Sequence, residues 1–184
     1  MSSFTSPAPY HILSYGTLLG TSVFQSFVGG IVAFKVLPRP QFSTLQRHTF
    51  PIYFSMQTVL PVILALTYPG ERSLLDPSVT SGSSLSGVLA EQNRIGVLAP
   101  LATMFVTGLV NLVFLMPRAH QTMRERAHQG TIDGKQSYDK GPHSPRMTQL
   151  NKRFGKIHGA STLLNLAGLV ATVCYGFTLS GRLY

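Results

Sequence analysis

The sequence predicts an all-α, polytopic membrane protein, an antiparallel bundle of four transmembrane helices. Three observations carry that prediction. Four apolar stretches, Ile12–Phe34, Pro51–Tyr68, Ile95–Met116 and Gly159–Gly181, hold nearly half of the 184 residues and contain no Asp, Glu, Lys, Arg or His. They are apolar nearly all round, as a lipid-exposed helix must be, rather than along one stripe. Only 11% of the residues are charged, against ~25% in a soluble domain, and mean hydropathy is +0.19 with the polar loops included. A run of about 20 residues rising 1.5 Å each crosses a hydrocarbon layer of roughly 30 Å. The chain reads as one domain, 1–184, with spans near 12–34, 51–68, 95–116 and 159–181 and polar loops at 69–94 and 117–158.

The first stretch reads as a retained span and not as a cleaved signal. Its positive charges follow the run instead of preceding it, and it exits through Phe34-Lys35-Val36-Leu37-Pro38 with no small-residue cleavage site. Gly16 and Gly20 stand four apart on it and read as a helix–helix seam, within the chain or between copies in a homo-oligomer. Pro51 suits the first turn of span two, where its missing N–H costs nothing, and Pro61 should kink that helix. Ser78–Gly87 has a flexible polar composition, with a surface helix around Val88–Asn93. Pro117 marks the end of span three. Beyond it, Ala119–Gln129 continues as a basic helix and then loosens at Gly130, Gly134, Gly141, Pro142 and Pro145. Met147–Ile157 reads as a basic amphipathic stretch leading into span four, either lying on an anionic leaflet or solvated as a linker. Ser161, Asn165, Gly168 and Thr172 give span four a packing face of its own.

Charge sets the expected orientation. The first loop carries Lys35, Arg39 and Arg47 without an acid; the third carries nine Lys plus Arg; the second has Arg72 and Arg94 against Glu71, Asp76 and Glu91. The positive-inside rule then places the first and third loops in the cytoplasm and both termini in the lumen or outside. The net charge of +9 is concentrated on those two loops, which points to the phosphates of anionic lipid head groups rather than to nucleic acid.

Counted from the basic side, Gln57, Asn111 and Asn165 each lie about six residues into their spans, roughly 9 Å below the interface. With Ser161 they form a candidate polar layer; Gln25 and Ser26 of span one lie somewhat deeper. An unpaired amide is costly in hydrocarbon, so these groups should face inward and bond to one another or to water. Arg39, Arg118 and His158 each stand at a span boundary on the basic side and form a candidate rim for a lipid phosphate or another anion, the alternative being three separate helix-end anchors.

Catalytic carboxylates, a glycine-rich phosphate loop, an activated Ser and a Cys pair are all missing from the spans, and the single cysteine is Cys174. No ionisable residue lies within a span, which argues against proton-coupled transport. His11 is placed at the outer end of span one, and no span is expected to bury a histidine, so a bis-His haem lacks ligands in the right layer. His48 and His158 could share a metal near the cytoplasmic surface but have no carboxylate near them in sequence, and no cofactor is expected. The reading is a non-catalytic membrane protein acting through helix packing and lipid or partner contacts. The alternatives are a small membrane oxidoreductase binding haem or quinone, and a small-solute carrier.

The motifs Tyr10-His-Ile-Leu, Leu37-Pro-Arg-Pro-Gln-Phe42, Phe50-Pro-Ile-Tyr-Phe54, Val110-Asn111 before Pro117-Arg118, and His158-Gly-Ala-Ser161 before Asn165-Leu166 run through all four spans in order. In these the chain resembles the transmembrane-protein-205-like family. The resemblance implies a four-span helical domain with no established molecular activity. Pro40 stands where some members have His, so a ligand role for that residue does not carry over.

Overall fold

A computed structural model of the chain describes residues 6–72, 80–81 and 84–181. Four helices are long and apolar enough to cross a membrane: Pro7–Val36, Arg39–Leu66, Glu91–Asp133 and Pro145–Ser180. The architecture is all-α. Among the described residues the only extended pairing is two residues long, β1 (Glu71–Arg72) against β2 (Thr80–Ser81). Part of the polar Ser78–Gly87 stretch, at 78–79 and 82–83, lies outside the described residues, as does Asp76.

Span one starts at Pro7, earlier than the hydropathy suggests, because Ser6 caps it by accepting from the Ala8 N–H at 3.3 Å and Pro7 fits the first turn. It comprises α1 (Pro7–Val23), a π turn at Phe24–Gly29 and α2 (Gly30–Val36). The expected first loop shrinks to Leu37–Pro38, and α3 (Arg39–Leu66) begins at once. Pro51 is therefore well inside the helix rather than at its start. Hydropathy marked where the helix enters lipid and missed the polar turns of Arg39–Phe50, which carry helix without carrying an apolar signal.

The third helix does not end at Pro117. A π turn at Arg94–Leu98 leads into α5 (Ala99–Val110), a second at Asn111–Leu115 leads into α6 (Met116–Asp133), and Pro117 occupies the first turn of α6. A proline ring clashes with the carbonyl four residues back; the wider π turn ahead of it gives that carbonyl room. Gly134, left-handed at φ 60°, closes α6, and Lys135 N–H returns to the Gly130 carbonyl. Ser144 then caps α7 (Pro145–Ser180), accepting from Met147 N–H at 3.2 Å, while its hydroxyl donates to Asp133 at 2.7 Å. With Gln129, that hydroxyl holds the Asp133 carboxyl below its ordinary pKa. The third polar loop is thus a helical hairpin. Met147–Ile157 is a helix and not a linker, with Met147 and Leu150 buried in the hairpin as α7 packs on α6.

Span three packs between spans two and four, and span one lies across spans two and four with a smaller contact. Two close approaches set the spacing. A Cβ on Gly108 would come within 2.8 Å of the Gln57 carbonyl, and one on Gly168 within 2.9 Å of the Thr107 hydroxyl. The apolar core, Leu18, Leu64, Tyr68, Leu101, Met104 and Tyr175 among others, lies at the end away from the basic hairpin. The short α4 (Ser84–Leu89) caps it with Val88, held by Asn93 donating to the Gly87 carbonyl at 2.8 Å. Gly16 and Gly20 do not form a seam within the chain: a Cβ at either meets nothing within 4 Å, and both face outward. Cys174 also lies on the outer surface.

Candidate functional site

At the basic half of the bundle the core gives way to polar groups. Tyr53 donates its phenol to Asn165 Oδ1 at 2.6 Å, and Asn165 Nδ2 donates to Ser26 Oγ at 2.9 Å. The Ser22 hydroxyl pairs with Gln57 Oε1 at 3.2 Å, and Gln25 Nε2 donates to Gln46 Oε1 at 3.2 Å. Gln57 and Asn111 are buried and Asn165 half-buried; Ser161, half-buried one turn nearer the hairpin, makes no side-chain hydrogen bond among the described residues. Spans one, two and four are cross-linked here. At ~0.6 kcal/mol on average, such interhelical bonds set register more than they add stability.

Sequence reading missed Tyr53, Ser22 and Gln46. Tyr53 had a signal available, since it stands one helical turn before Gln57 and shares its face. Gln46 was hidden by its assignment to a loop. The π turns at Phe24–Gly29 and Asn111–Leu115 both border the layer, and such turns recur at functional sites. Gly30 packs closely there, and a Cβ would approach the Gln25 carbonyl to 3.2 Å.

Beside the layer, a cavity of about 490 Å³ opens sideways between span one and the start of α3. Phe24, Val28, Val32 and Leu45 make it apolar, and the Gln25–Gln46 pair is its polar point. A shallower apolar depression of about 650 Å³ lies between α5 and α7, with Cys174 in its lining.

At the opposite end His11 is fully buried, which overturns the expectation that no span buries a histidine. Its hydrogen bonds define its tautomer. The one hydroxyl hydrogen of Thr67 goes to the Ile63 carbonyl at 2.7 Å, so His11 Nδ1 must donate to Thr67 Oγ1 at 3.1 Å. Nε2 is then the acceptor for the Tyr175 phenol at 2.7 Å. Tyr15 reaches the Thr172 carbonyl at 3.4 Å and lies over Gly176, where a side chain would collide with its phenol. The group ties spans one, two and four together through the buried imidazole.

The three residues of the expected anion rim each make a separate local contact. The Arg39 guanidinium lies 3.5 Å over the Phe34 ring, Arg118 donates to the Phe114 carbonyl at 3.0 Å, and His158 stacks on Phe154 with centroids 5.8 Å apart. All three are exposed, and no described contact joins any two of them. Arg118 and His158 spend their polar and ring contacts on their own helices, and Arg39 spends its on the ring just across the Leu37–Pro38 break. Some of the hairpin's charges are likewise engaged locally: Arg126 donates to Asn151 at 2.9 Å, and Glu125 pairs with Arg153 at 3.3 Å and Arg146 at 3.8 Å. Such exposed pairs are worth little. No group of three or more His, Cys, Asp or Glu suited to a metal occurs among the described residues.

Fold and site together define an all-α polytopic membrane protein with a polar layer and a lateral groove. Residues 13–128 match the family described as Domain of unknown function (DUF4149), and the chain belongs to that family. It is 36% identical over 175 residues to "Xanthocillin biosynthesis cluster protein D" of Aspergillus fumigatus (strain ATCC MYA-4609 / CBS 101355 / FGSC A1100 / Af293), covering 95% of this chain and 90% of that protein. No solved structure matches the chain.

Proposed function

We propose that the protein is a non-catalytic multi-pass membrane protein that holds an amphiphilic, lipid-like small molecule in the groove between spans one and two. The groove is the observation that carries this reading. It is apolar along its length, open sideways to where lipid would lie, and provided with one amide pair, Gln25–Gln46, able to orient a hydrogen-bonding head. The relative named for a biosynthesis cluster supports an occupant that is a product or intermediate of small-molecule biosynthesis. Its basic loops face the cytoplasm, following the excess of Lys and Arg at the hairpin end. The motifs Leu37-Pro-Arg and Phe50-Pro-Ile-Tyr-Phe54 support the finer likeness to the transmembrane-protein-205-like family.

Photo-crosslinking tests the groove. In bilayers containing a fatty acid with a chain-borne diazirine, label should concentrate on the peptides carrying Val28, Val32 and Leu45, and Val32→Trp should remove it. Label spread evenly over outward residues such as Leu163 and Phe177, unchanged by Val32→Trp, would refute the reading.

A further inference from the structure

Among the described residues, two buried polar atoms of the layer have no hydrogen-bond partner, Gln57 Nε2 and Asn111 Oδ1. Their residues are 7% and 1% exposed, so neither amide reaches bulk solvent. One atom is a donor and the other an acceptor. Spans one, two and four are already joined by side-chain hydrogen bonds in this layer, whereas span three brings Asn111 to it without joining.

Helix geometry aims the two amides at one place. Gly108 of α5 sits against the Gln57 backbone, and Asn111 lies three residues, or about one turn, nearer the hairpin end. Side chains on a helix lean toward its N-terminus. The α3 helix starts at the hairpin end, so Gln57 leans toward Asn111. The α5 helix starts at the other end, so Asn111 leans back toward Gln57.

We infer that the wedge between the Gln57 and Asn111 side chains, one turn from the tight Gly108 contact, binds one small hydroxylic molecule, water, which bridges the two amides and so brings span three into the network. Water suits both settings of the Gln57 amide. Ser22 has one hydroxyl hydrogen, and its contact with the Leu18 carbonyl, 2.7 Å, is shorter than that with Gln57, 3.2 Å. If the hydrogen goes to Leu18, the Gln57 amide turns to donate to Ser22 and presents its oxygen to the wedge. The wedge then holds two acceptors, and one water donates a hydrogen to each. In the other setting water accepts from Gln57 and donates to Asn111.

The test is a water-to-amide cross-relaxation spectrum of the full-length protein in micelles, with glutamine side chains labelled with nitrogen-15. The Gln57 amide protons should give a cross-peak to a long-lived water, and Asn111→Thr should abolish it while the backbone spectrum remains that of the folded protein. No cross-peak in the unaltered protein overturns the proposal, as does one that survives Asn111→Thr. A second measurement needs no variant. In an experimental structure at a resolution that orders waters, a water within hydrogen-bond distance of both residues supports the site; a direct Gln57–Asn111 bond, or no density between them, overturns it.

Discussion

Gly108→Ala isolates the contact that sets the spacing of spans two and three. The added Cβ would lie 2.8 Å from the Gln57 carbonyl carbon and oxygen and 3.1 Å from the Thr58 nitrogen. All three are backbone atoms, so no side chain can swing aside. Restoring ordinary contact near 3.4 Å means parting the helices by about 0.6 Å, on the scale at which packed interiors lose contacts and overpacking costs roughly 1–3 kcal/mol. The opposing effect is intrinsic, since alanine is favoured over glycine within a helix by roughly 0.5–1 kcal/mol. At Gly155, where a Cβ meets nothing within 4 Å, only that second effect operates. Thermal unfolding in detergent should therefore show Gly155→Ala equal to or above the parent protein, and Gly108→Ala below it. A Gly108→Ala melting temperature at or above that of Gly155→Ala would refute the close approach.

Two further predictions concern the ends of the bundle. His11→Leu removes the acceptor of the Tyr175 phenol and the donor to Thr67 inside the packed end, and should destabilise by about 1–3 kcal/mol; an unchanged melting temperature would mean that the imidazole does not tie the three spans. Tyr138 lies exposed at the hairpin tip, so in a Cys174→Ser background Tyr138→Cys should react with an impermeant thiol reagent only after the membrane is opened. Labelling of intact cells would reverse the proposed orientation.

Hydropathy located the four spans because lipid imposes one demand on every outward residue, and the uncharged runs record it directly. Helical rise also put Gln57, Asn111 and Asn165 at a similar level along their helices, since it converts sequence position into distance along the bundle. Helix ends were less legible. Ala119–Gln129 reads as a basic helix, but Arg39–Phe50, Gly130–Asp133 and Pro145–Ile157 are also helical, in stretches where polar residues satisfy helix and loop equally well. The hairpin boundaries are set by Gly134 and Ser144 at particular φ/ψ values and hydrogen bonds, as the start of α1 is set by Ser6.

By itself, then, the sequence determined an all-α polytopic chain, the approximate place of each span, the basic hairpin end and the level of the amides. These are one-dimensional properties: length, charge and depth. Only the tertiary structure decided which face each residue presents and which partner it meets. Tyr53 bonds Asn165 across 112 positions, and His11 bonds Tyr175 across 164. Gly16 and Gly20 face outward while Gly108 and Gly168 take the close contacts. Those outcomes follow from helix rotation, from the π turns that shift it by a fraction of a turn, and from the packing of all four spans at once, none of which leaves a local mark in the sequence.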